Sequence, residues 1–185
     1  IARLSLELPG IEGEMRARMT RFDPAYTSQF YDHYGSREAT RWESSPRNKM
    51  QNALLRHHLR QWIKAGDRVL DAGSGPGVYA RELLDMGARV TCFDLSPVQL
   101  LACRERAPGC DAYELGSVTD LGRFADRSFD VTLALGGVLS YCFECAPQAL
   151  AELVRVTRPG GCIGLSVMNL YGTLHSFLPG VLAIT

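Results

Sequence analysis

Between residues 66 and 170 the chain alternates short apolar runs with segments whose apolar residues recur at helical spacing. Residues 68–72 read as a buried strand, and 78–86 as a helix that Gly87 ends. Residues 89–94 read as a second strand. A helix over 97–106 follows, with Ser96 as N-cap and Pro97 at the first helical position. A shorter strand is expected at 111–115 and a near-continuously apolar one at 129–135. A helix over 147–157 is stopped by Pro159-Gly160-Gly161, and a fifth strand covers 162–168. Upstream, Leu54, Leu55, Leu59, Trp62 and Ile63 predict an amphipathic helix over 49–64, closed by Gly66-Asp67. Residues 1–48 are broken by Pro9-Gly10, Asp23-Pro24 and Ser45-Pro46, with short helices between the breaks. Strands separated by helices imply right-handed crossovers, so the pattern predicts an α/β fold with a mainly parallel sheet and helices on both faces.

Composition narrows the function. The chain has 185 residues, enough for one such domain. Twenty Lys and Arg balance twenty Asp and Glu, so no large basic field holds nucleic acid by its phosphates. The local cluster Arg56, His57, His58, Arg60 and Lys64 reads as a solvated helix face. No apolar run approaches the roughly 20 residues that span a bilayer, and residues 1–21 lack a signal-peptide core. The expected location is cytoplasmic, with the six cysteines reduced. Cys142 and Cys145 form a lone C-x-x-C without a second pair, and Cys92 and Cys162 fall within apolar strands. All six read as packing residues, and no metal site is expected.

The most informative segment is Val69-Leu70-Asp71-Ala72-Gly73-Ser74-Gly75-Pro76-Gly77, a glycine-rich turn between strand and helix. Its spacing is G-x-G-x-G, whereas a dinucleotide fingerprint would need its third glycine at the position of Val78. Asp71 ends the strand, where a carboxylate would repel a pyrophosphate on the helix N-terminus. It suits a ligand carrying an ammonium and a sulfonium and no phosphate, as S-adenosylmethionine does. Asp94 closes the next strand, where an acid can accept hydrogen bonds from both ribose hydroxyls.

These residues resemble the class I S-adenosylmethionine-dependent methyltransferases. VLDAGSGPG (69–77) is similar to their first motif and VTCFDLSP (90–97) to their second. SFDV (128–131) with LGGVLSY (135–141), and LVRVTRPGG (153–161), resemble the fourth strand and the turn into the fifth. The resemblance covers about residues 66 to 170 and implies a three-layer Rossmann-like fold with strand order 3-2-1-4-5. It implies that Asp71 and the backbone of Gly73, Ser74, Gly75 and Gly77 hold the methionine end. Asp94 would hold the ribose, Leu95 would lie against the adenine, and the Leu135 carbonyl would face the ammonium. Ser117 and Val118 stand where the family often has an Asp for the adenine amino group, with Asp120 as a substitute acceptor.

The implied reaction is methyl transfer by in-line displacement to a small-molecule acceptor, with S-adenosylhomocysteine as product. Candidate bases beyond the strand ends are His175, Tyr141, His33 and Glu144. The run Phe30-Tyr31-Asp32-His33-Tyr34-Gly35 resembles a lid, with Tyr31 and Tyr34 over the methionine end and Arg47 paired with its carboxylate. Residues 1–48 are thus expected to form a helical lid on a cofactor-binding domain over 49–185. Two rival readings stay open: a fold that binds the cofactor without methyl transfer, as partner subunit or rearrangement catalyst, and an NAD-dependent oxidoreductase. The family's sheet ends in an antiparallel hairpin for which the 17 residues after Met168 are too few, so the sequence reads as truncated. An apolar fifth strand at the edge then calls for cover, by a second copy in a homodimer, by residues 178–184 or by a further segment.

Overall fold

The structure, a computed structural model, describes residues 21–35, 37–41, 43–169 and 172. Three helices lead in: α1 (Pro24–Tyr34), α2 (Arg37–Arg41) and α3 (Pro46–Trp62). Then follow β1 (Arg68–Ala72), α4 (Val78–Asp85), β2 (Arg89–Asp94), α5 (Pro97–Arg106), β3 (Ala112–Leu115) and β4 (Phe129–Ala134). A short helix α6 (Val138–Tyr141), a 3-10 turn (Phe143–Cys145), α7 (Ala146–Val156) and β5 (Thr157–Leu165) complete the described chain.

The five strands form one sheet in the order β3-β2-β1-β4-β5, every pair parallel. Each crossover carries the chain over a face, so both faces are covered and the central strands β2, β1 and β4 are buried over most of their length. The two-residue period sorts side chains between two cores. Val69, Val90, Cys92, Val131 and Leu133 pack with Leu59 of α3, Leu83 of α4 and Cys103 of α5. On the opposite face Leu70, Ala72, Phe93 and Phe129 pack with Leu139 of α6 and Leu153 and Val156 of α7. Leu59, Leu83 and Leu153 are fully buried, each stabilising the fold by about 1.5–3 kcal/mol.

Helix starts follow their caps. Ser45 accepts from the Asn48 N–H at 3.2 Å and Pro46 takes the first turn, so α3 begins at Pro46 and not at Lys49. The dipeptide read as a break is a start signal. The fifth strand also differs from expectation. It opens at Thr157, ahead of Pro159, and ends at Leu165, short of Met168. Phe129 pairs with Thr157 and Val131 with Cys162, and the irregularity between them absorbs the Pro-Gly-Gly excursion. An edge strand tolerates this because its outer side needs no ladder donor. Beyond Leu165 the contact with the end of β4 continues: Ser166 donates its N–H to the Ala134 carbonyl and accepts from Gly136 N–H at 2.7 Å. Among the described residues β5 is the sheet edge; residues 178–184, expected as cover, lie outside them. No helix among the described residues is long and apolar enough to cross a membrane.

Candidate cofactor site

The glycine turn stands on the carboxyl ends of the strands, where β1 lies between β2 and β4 and the order of connection reverses. Ligands in open α/β sheets bind in that crevice. Phe93 fixes the turn from below, its carbonyl accepting from Gly73 N–H at 2.7 Å and Ser74 N–H at 3.2 Å. Asp94 fixes it from the side: Oδ2 accepts from Gly75 N–H and Oδ1 from Ser96 N–H, both at 2.8 Å. Gly73 has φ of 83°, and a Cβ on it would lie 2.3 Å from Val138 Cγ2. Gly77 caps α4 with φ of 75°, and a Cβ there would lie 2.8 Å from Cys103 Sγ. Only glycine fits either position.

The resulting cleft has a volume of about 110 Å³. Of the expected site residues, Tyr31, Gly73, Gly75, Asp94, Leu95, Ser117, Val118, Leu135 and Tyr141 line it. Asp71, Ser74 and Gly77 do not form its wall; Asp71 and Ser74 are buried behind it. Asp71 is 1% exposed and its Oδ2 has no hydrogen-bond partner, nor has Ser74 Oγ. Burial raises the Asp71 carboxyl to about 7, and repulsion from Asp94 adds to this. Asp94 is raised for the same first reason, opposed by the N–H groups of Ser96, Gly75 and Leu95.

The roof comes from the lead-in helices. Asp23 caps α1 by accepting from Tyr26 N–H at 3.0 Å. Ser28 donates to the Leu95 carbonyl at 3.0 Å, and Ser96 donates to Asp32 Oδ1 at 2.5 Å. Gln99, 1% exposed, donates to the carbonyls of Tyr31 and Gly35 at 3.0 and 3.1 Å. These bonds hang α1 over the turn between β2 and α5. Tyr31 meets Tyr141 edge-on, ring centroids 5.9 Å apart. Burial, then Tyr141, pushes the Tyr31 phenol above its usual range. From α2, Glu38 enters the cleft above Gly75 and pairs with Arg41 at 2.6 Å. Arg41 in turn feels Tyr31 and Tyr141.

Other candidates take different places. Ser117 Oγ bonds Thr119 Oγ1 at 2.7 Å, while Asp120 accepts from Gly122 N–H and does not line the cleft. Glu144 accepts the Phe22 N–H at 3.0 Å outside the cleft wall. His33 is exposed, and Tyr34 stacks on Phe30 with the Arg37 guanidinium over its ring. Neither Arg47 nor Arg41 lines the cleft, although Arg41 pairs with Glu38, which does. His175 lies outside the described residues. Sequence reasoning missed Phe22, Thr27, Glu38, Gln99 and Val138, all of which line the cleft. Glu38 and Arg41 share a helix face at i, i+3 spacing, but nothing in the sequence ties that face to the glycine turn.

Two carboxyl groups, Asp94 and Glu38, thus line the cleft with Asp71 buried outside its wall, and Leu95, Phe93 and Val118 give it an apolar flank. An acid before the glycine turn and another closing the next strand define a Rossmann-like fold whose cleft favours a cation and an uncharged ring. The chain belongs to the methyltransferase-domain family, which it matches over residues 70–165. It is 39% identical over 103 residues to a malonyl-[acyl-carrier protein] O-methyltransferase of Serratia marcescens, covering 56% of this chain and 39% of that one. It is 38% identical over 96 residues to a demethylmenaquinone methyltransferase of Chlorobaculum parvum, covering 51% and 38%. These matches thus span about two fifths of each relative's length. Among solved structures it is similar to a methyltransferase of Thiobacillus denitrificans in complex with S-adenosylhomocysteine. The TM-score is 0.50 and the identity 29%, over 61% of this chain and 46% of that one.

Proposed function

We propose that this chain binds S-adenosylmethionine in the cleft and directs its methyl group to a small-molecule acceptor. The observation that carries this reading is the pair of strand-end acids around the glycine turn. Asp94 keeps lone pairs on both oxygens beyond the two backbone N–H groups it accepts, enough for two ribose hydroxyls. Glu38 lines the cleft, and the Asp71 Oδ2 behind it has no hydrogen-bond partner, so a bound cation would favour the ionised form of both where the ammonium and sulfonium would sit. Leu95 and Val118 supply flat apolar walls for the adenine. The residues therefore fit the cofactor, and they fit a phosphate-bearing dinucleotide poorly.

When bound, S-adenosylmethionine supplies an electrophilic methyl on a good leaving group. The chain's own task is positioning. Asp94 and the glycine turn fix the nucleoside, Leu135 and Glu38 face the amino acid end, and Arg41 is placed to take its carboxylate. Tyr31 and Tyr141 close over the reacting end and exclude water. Alignment of this kind contributes about 7–11 kcal/mol. Because burial keeps Tyr31 protonated, it acts as a hydrogen-bond donor and not as a base. Tyr141 shares its hydrogen bond and orients the acceptor, and His175 is the candidate base for any proton the acceptor gives up. Residues 21–48 act as the lid over the domain that follows. A cytoplasmic location agrees with the free thiols of the described cysteines.

The acceptors named for the relatives, a malonyl group on a carrier protein and a demethylmenaquinone, frame the trial set. Calorimetry with S-adenosylmethionine, S-adenosylhomocysteine and NADH tests the cofactor, and a labelled-methyl assay on small carboxylic acids and quinols tests transfer. Binding of NADH in preference to S-adenosylhomocysteine overturns the reading. Tight binding with no transfer to any acceptor favours the rearrangement or partner-subunit reading instead.

A further inference from the structure

Behind the glycine turn, outside the cleft, three thiols meet. Cys92 on β2 stands next to Asp71 in the sheet register and is fully buried. Its thiol donates to the sulfur of Cys110 on the loop before β3, and it packs in the same core cluster as Cys103 on α5. The Sγ atoms of Cys92 and Cys110 are 3.5 Å apart. Cys103 is fully buried, whereas Cys110 is half-exposed and is the member that solvent reaches. Cys103 also touches the turn, because its Sγ occupies the space a Cβ on Gly77 would need. Among the described residues no group of three such side chains is arranged to hold a metal ion, so metal binding does not explain the cluster.

We infer that Cys92 and Cys110 form a peroxide-sensitive dithiol site whose closure loosens the glycine turn. The chemistry balances with a hydroperoxide as oxidant. The Cys110 thiolate attacks the peroxide oxygen, the O–O bond breaks, and water or an alcohol leaves, giving a sulfenic acid on Cys110. The Cys92 sulfur then attacks the sulfenic sulfur, its proton leaves with the hydroxyl as water, and the S–S bond forms. Two thiols lose two electrons and the peroxide gains them. Cys110 suits the first step. The Cys92 thiol donating to it, opposed by burial and aided by the Tyr113 hydroxyl, lowers the Cys110 thiol below its usual range while Cys92 is held protonated, and reactivity follows the thiolate. Tyr113 also bonds the Ala107 carbonyl and Cys110 N–H, so it pins the short loop that presents Cys110.

A disulfide needs the sulfurs about 2.05 Å apart, against 3.5 Å here, so closure pulls Cys92 toward the loop and disturbs the cluster it shares with Cys103. Cys103 then loses its fixed position against Gly77, the residue that sets the N-terminus of α4. The effect on the turn rests on the proposed cofactor role, whereas the disulfide itself does not. The test treats the whole chain with hydrogen peroxide, blocks remaining thiols, maps peptides, and measures S-adenosylhomocysteine affinity before and after. The expected result is a Cys92–Cys110 link that dithiothreitol reverses, with affinity at least about tenfold weaker in the oxidised form. Cys110→Ser should abolish both effects, and Cys145→Ser neither. Oxidation confined to Cys142 and Cys145, or Cys110 stopping at sulfinic acid with Cys92 free, overturns the dithiol site. A clean Cys92–Cys110 link with unchanged affinity overturns its coupling to the turn. A reduced protein that binds no S-adenosylhomocysteine refutes the cofactor reading while the peptide map still decides the disulfide.

Discussion

Replacing Asp94 by Asn probes the proposed ribose contact at a lower structural cost than Ala, since it orphans one backbone donor and not two. The amide keeps the shape and one oxygen, which still accepts one of the two N–H groups now held at 2.8 Å, from Gly75 or Ser96. The variant loses the charge and one acceptor. A hydrogen bond to a charged partner contributes about 1.5–3 kcal/mol. Losing one ribose bond therefore lowers S-adenosylhomocysteine affinity about ten- to hundredfold. Relief of the buried charge acts on free and bound states alike and leaves this difference largely intact. Asp94→Ala also orphans both backbone donors, which costs about 1–3 kcal/mol each, and should lower the melting temperature as well as the affinity. Titration calorimetry beside thermal denaturation separates the two effects. A folded Asp94→Asn protein with undiminished affinity would refute the assignment of this residue to the ribose.

Three further substitutions probe the site's construction. Asp71 has its carboxyl raised from 3.8 to about 7 by burial, so its protonated form favours folding. That contribution is complete below about pH 4 and is lost as pH rises through about 7. Asp71→Asn should therefore gain stability on wild type by a few kcal/mol, in order of magnitude, between those limits, as read by urea denaturation at each pH. A constant difference would show the carboxyl to be ionised throughout. Gly73→Ala sets a Cβ 2.3 Å from Val138 Cγ2 at a φ of 83° and should destabilise by about 2–4 kcal/mol; Val138→Ala in the same chain should restore part of this. Gln99→Leu removes the donors to Tyr31 and Gly35. It should speed hydrogen exchange in residues 24–35 about tenfold with β1 and β4 unaltered, and equal exchange would mean that α1 is held elsewhere.

Much of this was legible because it depends on local chemistry. Apolar runs of strand length at β1, β2 and β4, Ser96-Pro97 as a helix start, and the acid-glycine turn each declare themselves within a few residues. The strand order came from resemblance, since periodicity says nothing of which strands are neighbours. What stayed hidden depends on distant partners. Pro159-Gly160-Gly161 was read as a stop because a bulge opposite Phe129 cannot be seen in the strand that accommodates it. Ser45-Pro46 looked like a break for want of knowing that Asn48 would be capped. Glu38 reaches the cleft because Ser96 and Gln99, some sixty residues on, hold Asp32 and Gly35 and so hang the end of α1 and the start of α2 over the turn between β2 and α5. The cysteines read correctly as buried packing at Cys92, yet no spacing announced that Cys103 and Cys110 would meet it.

The position of β1 between β2 and β4 also bears on the order in which the chain folds. Along one side Arg68 meets Arg89, and along the other Val69 meets Val131. The second closure spans about three times as much chain and costs about 1 kcal/mol more in loop entropy. The crossover unit of β1, α4 and β2 should therefore condense first, with the glycine turn already pinned to Phe93 and Asp94. Leu135, Val138 and Tyr141 arrive only when β4 docks. Ligand binding energy then accrues after the rate-limiting barrier. Saturating S-adenosylhomocysteine should slow unfolding several-fold and leave the refolding rate unchanged. Stopped-flow denaturant jumps with and without the ligand would measure this, and an accelerated refolding limb would place the finished cleft before the barrier.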